Sequence, residues 1–156
     1  MATDIFAEVS RIWPTTEAAL AADSTVDYAD QKTRAITRAK RTLYGSATVP
    51  DEEDIPELAA YWIADQAAVL LIPLARDWYM SKQRLSDAKE GATISYYNKV
   101  AALEKLKAEL EASLAQNKET ALESISSAEV EDSAPAVSVA GLMVDPLERA
   151  MGRGPL

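Results

Sequence analysis

The stretch from Asp51 to Leu85, DEEDIPELAAYWIADQAAVLLIPLARDWYMSKQRL, limits the possible folds more than any other part of this chain. Between Leu58 and Ala75 only Asp65 and Gln66 are plainly polar, so at helical spacing the apolar surface wraps round the axis instead of forming one stripe. Such a helix must be covered on most sides, which places it at the centre of a fold. Asp54 followed by Glu57 has the spacing of a capping box. Pro56 suits the first turn, where its missing N–H would have no helical partner anyway. Asp65 and Gln66 divide the run and Pro73 interrupts it, leaving no unbroken apolar run of about 18 residues, and no membrane is expected. Pro73 also predicts a kink, with Trp78 and Tyr79 packing just beyond it.

The neighbouring segments supply the cover. In TDIFAEVSRIWP, residues Ile5, Val9 and Ile12 recur at helical spacing, Thr3 is placed to cap the start, and Pro14 stops the continuation. TTEAALAAD adds two turns before small polar residues break the pattern. DYADQKTRAITRAKRTLYG puts Ile36, Ala39 and Leu43 on one stripe and ends at Gly45, a natural residue after a helix. Beyond the turn-like SDAKEGAT a long helix is expected from about Thr93, its inner face lined by Tyr96, Val100, Leu103, Leu106, Leu110 and Leu114. Its outer face is Lys and Glu, with Lys105–Glu109 and Lys107–Glu111 at i,i+4, pairs worth a few tenths of a kcal/mol each. The mean step of the leucine seam is nearer 3.6 than 3.5, which favours packing on the Leu58–Ala75 helix over a self-associating coiled coil. With five Gly and one Phe there is little material for a turn-rich β design. The expected fold is all-α: a small helical bundle around a buried central helix, with a long extended C-terminal arm.

From Glu119 the pattern decays into ETALESISSAEVEDSAP, rich in Ser, Glu and Ala, which reads as linker. The expected organisation is an N-terminal arm of short helices over 1–25, a helical core over 26–118, a linker over 119–135 and a docking arm over 136–156. In the arm, Val137 and Val139 alternate with small residues as a strand would. Asp145-Pro146-Leu147-Glu148 repeats the cap, proline and glutamate logic up to Gly152. A single helical turn is unstable alone in water, so it needs a surface, its own core or a partner's. The partner is the favoured reading, with Val137, Val139, Leu142, Met143, Val144, Pro146, Leu147 and Met151 as the docking residues.

Charge and residue usage narrow the chemistry. The net charge is −9, and residues 49–90 alone hold nine acids against four bases, a poor basis for broad binding to a phosphate backbone. With no Cys and no His, disulfides, thiolate sites, the usual zinc ligands and the usual general base are all missing. No catalytic, cofactor or metal site is expected, and the chain does not read as an enzyme. The opening MATDIFAEVSRIW has no basic and apolar leader pattern, so synthesis in the cytoplasm is expected. Arg34, Arg38 and Arg41 form a stripe opposite the Ile36 stripe. It suits a solvated face or contact with an acidic neighbouring subunit, with DNA contact ranked last. Asp51, Glu52, Glu53 and Asp54 have the complementary sign, within one molecule or between copies.

The order of these elements resembles the small helical head-to-tail connector proteins of tailed bacteriophages, especially those of actinobacterial hosts. It consists of a short arm, a basic helix ending in RTLYG, the buried helix IPELAAYWIADQAAVLLIPLARDWYMSKQ, then ISYYNKVAALEKLKAELEA. The resemblance covers about residues 26–118. It implies a structural virion protein of the neck, made in the host cytoplasm. Such a protein forms a ring, typically of twelve copies, between the portal and the tail or neck proteins, and the genome passes through the lumen without specific binding. In such a ring the Arg34, Arg38 and Arg41 stripe and the Asp51–Asp54 segment suit contacts between subunits. The alternative is a non-viral helical interaction or regulatory module that binds a partner through its C-terminal tail.

Overall fold

A computed structural model of the chain describes residues 2–85 and 90–153, with side-chain surroundings for 2–82 and 96–130. The helices are α1 (Ile5–Ile12), α2 (Pro14–Ala22), α3 (Tyr28–Tyr44), α4 (Glu57–Leu85) and α5 (Glu90–Arg153), and no strand occurs among the described residues. The fold is a helical bundle built round α4, which packs against α5, α3 and α1. Its packed residues include Ala59, Ile63, Ala67, Ala68 and Ala75, none more than marginally exposed. The alanines let neighbouring helices approach closely, and Trp62, Ile72 and Tyr79 fill the space between them.

By length and composition alone Glu57–Lys82 would also pass as a membrane-spanning segment, with a mean hydropathy of 1.6. The two polar residues at its middle therefore separate the alternatives less sharply than expected. In this fold the helix spends its apolar surface on α1, α3 and α5. α4 continues through Pro73, which sits on its exposed side.

α5 runs antiparallel to α4. Trp62 Nε1 donates to the Leu114 carbonyl at 3.1 Å, Ser113 Oγ donates to Asp65 at 3.3 Å, Arg76 meets Glu104 at 3.3 Å, and the Tyr79 and Tyr96 rings lie 6.2 Å apart. Positions thus fall along α5 as they rise along α4. Leu103, Leu110 and Leu114 are buried, with Tyr96, Val100 and Leu106 half-buried beside them. Lys105–Glu109 and Lys107–Glu111 lie outside at 3.9 and 4.0 Å.

The helix starts differ from expectation. Asp4, not Thr3, caps α1, its carboxylate accepting from Ala7 N at 3.0 Å. Before α4, residues Glu52–Asp54 form a short 3-10 turn, and the Pro56 carbonyl accepts from Ala60 N, so Pro56 occupies the cap position and Asp54 lies outside the helix. α5 begins at Glu90, three residues ahead of Thr93; residues 86–89 lie outside the described residues. α3 ends as expected: Gly45 has φ +62°, a conformation that favours a residue without Cβ.

The largest departure is downstream of Glu119. Residues 119–130 are not linker: they continue α5, with Ala121 buried and Ile125 packed on the core. The seam of Leu110 and Leu114 continues at Ala121 and Ile125, and Ala-rich sequence favours helix wherever packing rewards it. The backbone beyond residue 130 is also helical. The backbone runs as α5 to Arg153, so the strand read from Val137 and Val139 and the separate turn read from Asp145 are replaced by one helix. At about 1.5 Å per residue α5 has a contour length of roughly 95 Å, against roughly 43 Å for α4. The proposed docking side chains Val137, Val139, Leu142, Met143, Val144, Pro146, Leu147 and Met151 lie outside the described side chains.

Candidate functional site

α3 carries two faces of opposite character. At roughly 100° per residue, Ala35, Ile36, Ala39 and Leu43 point into the bundle, while Arg34, Arg38 and Arg41 fall within a stripe about 60° wide on the other side. All three arginines are exposed. Arg34 Nε meets Asp30 at 2.8 Å, an exposed i,i+4 pair that holds it weakly. Among the described residues Arg38 and Arg41 have no carboxylate within ion-pair distance. Below Arg34 and Arg38, between α3 and α4, lies a cavity of about 250 Å³ floored by Ala35, Leu70, Leu71 and Leu74. The two guanidinium groups, with Gln31, therefore rim an open depression of mixed polar and apolar lining.

The acidic segment lies elsewhere and is divided. Asp51, Glu52, Glu53 and Asp54 are all exposed. Glu52 is committed inside the molecule: Oε1 accepts from Ile5 N at 3.0 Å, and Oε2 lies 3.7 Å from Lys40 Nζ. It thereby satisfies one of the free N–H groups at the start of α1 and adds negative charge at the positive end of that helix. The intramolecular partner of this segment is thus α1 and Lys40, and not the arginine stripe. Just past it, at the start of α4, Leu58 and Tyr61 are exposed by 51% and 41% although large and apolar, and Tyr61 donates its hydroxyl to Glu57 at 2.9 Å. They border an open groove of about 190 Å³ that runs to Asp65, Asn117 and Thr120. Burial pushes the Asp65 carboxyl above its ordinary range, partly opposed by the hydrogen bond from Ser113.

Sequence reading missed the polar centre of the N-terminal half. Lys32 is fully buried, its Nζ donating to Glu17 Oε1 at 2.8 Å and Ser10 Oγ at 2.7 Å, with the Phe6 ring centroid 3.7 Å away. Ser10 donates to the same carboxylate oxygen, and Tyr28 donates to Oε2 at 3.3 Å. Burial, with the Glu17 charge second, raises the Tyr28 hydroxyl well above its ordinary value. One charged pair therefore joins α1, α2 and α3. Register is the signal that was available: Lys32 lies one turn before Ile36 on its buried stripe. A second tie holds the end of α2 to α4. Asp23 accepts from Thr25 Oγ and N at 2.6 and 2.9 Å, from Trp78 Nε1 at 2.8 Å, and pairs with Lys82 at 3.3 Å. The Thr25 hydroxyl, then Trp78, hold its carboxyl well below the usual carboxylate range.

Both clusters have the geometry of fasteners, in which the donors are already taken by side chains within the fold. The exposed features are of another kind: a basic-rimmed open depression, an acidic segment, and two uncovered apolar side chains beside it. No family model matches this chain, and no curated protein or solved structure matches it either.

Proposed function

We propose that this chain is a structural adaptor of the neck of a tailed bacteriophage, which closes into a ring between the portal and the tail or neck proteins and surrounds the path of the DNA. The observation that carries the reading is the separation of charge on the surface of one helical body. α3 offers Arg34, Arg38 and Arg41 to solvent, while Asp51, Glu53 and Asp54 are exposed on the segment that leads into α4. Two patches of opposite sign on one subunit suit the heterologous contact that a closed ring repeats. The order of elements, like that of small connector proteins, supports the same role, for which the resemblance implies a ring of about twelve copies. A net charge of −9 also fits a channel wall that repels phosphates and lets DNA slide.

α5 favours a second reading of the same kind of protein outside a virus. Its backbone continues past Ile125, the last core residue among the described side chains, as far as Arg153, and such a helix can serve any regulatory module that docks by its tail. The two readings part on assembly. Light scattering of the chain alone and mixed with the portal protein should show a monomer or weak association alone and a ring-sized particle with the portal. A small, stable oligomer alone, unchanged by the portal, would reject the connector and leave the module.

A further inference from the structure

We infer that copies of this chain join by seating the exposed Leu58 of one subunit in the hole under Arg34 and Arg38 of the next. The inference rests on the ring reading above and names the contact that reading leaves open.

Leu58 is half exposed on the first turns of α4, with Glu57 next to it and Asp54 three residues before Glu57. It is an apolar knob with carboxylates on its rim. The hole between α3 and α4 is the complement, with Leu70, Leu71 and Leu74 at its floor and Arg34 and Arg38 above. The depression is open, and its volume of about 250 Å³ admits a leucine side chain between the leucine floor and the polar rim of Gln31, Arg34 and Arg38. Of those two guanidiniums, Arg38 has no carboxylate within ion-pair distance among the described residues and Arg34 has only the exposed Asp30, so both can reach the rim of an incoming knob. Burying a leucine while pairing its acidic border satisfies both halves of such a contact, whereas charge pairing at a wet surface alone contributes little. Glu52, bound to Ile5 N and close to Lys40, takes no part.

Placement on the helix makes the contact directional. At roughly 100° per residue Leu58 and Tyr61 point to one side of α4, and Leu70 and Leu74 to nearly the opposite side, roughly 18 Å or more further along its axis. One molecule cannot bring knob and hole together, and two copies cannot satisfy both sites at once by a twofold pairing of the same patch. The contact repeats head to tail, the arrangement from which rings are built.

The chain has no cysteine, which allows a direct test. In a Leu58→Cys, Leu70→Cys variant of the full chain the two thiols of one molecule are too far apart to bond, since a disulfide needs Cα atoms within about 7 Å. Mild oxidation is expected to give a ladder of dimers, trimers and longer species on a non-reducing gel, while neither single variant passes the dimer. Adding Arg34→Glu and Arg38→Glu, both at exposed positions, should cut the ladder at least tenfold. Absence of a ladder, or one that survives the charge reversal, overturns the contact. Rings that assemble with the portal protein but hold no such cross-link refute this contact and leave the connector reading standing. A charge-sensitive ladder from a chain that forms no ring with the portal keeps the contact and rejects the connector.

Discussion

Lys32 Nζ lies 2.8 Å from Glu17 Oε1 with its side chain fully enclosed, and the Glu17 side chain is only 18% exposed. Among the described residues the pair is the one place where α1, α2 and α3 are bound through charge, since Ser10 of α1 shares the same ammonium. Desolvating two charges is expensive, so the pair's net worth is far smaller than the cost of breaking it. Replacing Lys32 by Met keeps most of the packing but leaves a half-buried carboxylate with only the Ser10 and Tyr28 hydroxyls. We expect Lys32→Met to destabilise the fold by about 3 kcal/mol, and Lys32→Met with Glu17→Met to recover most of that loss. Chemical denaturation of the two single variants and the double variant measures the coupling. A double variant no better than Lys32→Met alone would mean that the loss comes from the ammonium's contacts with Ser10 and Phe6 and not from a stranded carboxylate.

Asp23 joins the end of α2 to Trp78 and Lys82 of α4 and to Thr25. Its carboxyl is held well below the ordinary range, first by the Thr25 hydroxyl and next by Trp78. A carboxyl depressed in the folded state stabilises above its unfolded value, near 3.9, and that contribution drains away as pH falls through the folded value. Asp23→Asn should therefore be less stable than the parent near neutral pH. The gap should close steadily below about pH 4, when denaturation is followed by tryptophan fluorescence. A gap that stays constant down to pH 2 would assign the loss to Asn geometry and not to charge.

Asp65 has the opposite sign. Burial raises its carboxyl, so its favourable contribution is complete below the unfolded value and is lost as pH rises through the folded one. At neutral pH its charge therefore costs stability, and Ser113 is its partner at 3.3 Å. Asp65→Asn retains an acceptor for that hydroxyl. We expect the variant to melt above the parent at pH 7 and to converge with it below about pH 4, measured by calorimetry. A lower melting temperature at pH 7 would show that the carboxylate is held by more than burial and Ser113 imply.

The central helix was legible because its signal is redundant. An apolar surface wrapping the axis from Leu58 to Ala75 has few ways to be satisfied, and the Leu103–Leu110–Leu114 seam supplied a matching face. Gly45 and the Ile36 stripe of α3 were legible for similar local reasons. The ties were not. A sequence does not show that Glu17 and Lys32 meet across a loop, or that Glu52 reaches the start of α1 across 47 positions, because neither follows from periodicity. Lys32 in particular looks like a surface residue until its register with Ile36 is weighed above its charge. Of the candidate surface, the arginine stripe was readable from spacing alone. The hole beneath it was not, since it needs Leu70 and Leu74 of another helix.

The segment 119–130 shows where composition misleads. Its Ser and Glu content matches that of a disordered linker, yet Ala121 is 1% exposed and Ile125 packs on the core near Tyr44 and Pro56. Glu119, Glu123, Ser126, Ser127 and Glu129 fall on the outer side of α5, and the half-buried Ser124 donates to the Ala121 carbonyl, so they cost a helix little once one face is anchored. The consequence is measurable by comparing a chain that ends at Val130 with one that ends at Lys118. The shorter chain loses the buried Ala121, the contact at Ile125 and the turns that lie beside Tyr44 and Pro56, and should be less stable by about 2–4 kcal/mol. For a chain of this size that is a fall in Tm on the order of 10 °C. Were 119–130 a linker, the two would melt together. Ile125→Ala in the full chain isolates the packing from the length and should account for roughly 1 kcal/mol of the difference, since the side chain is only half covered.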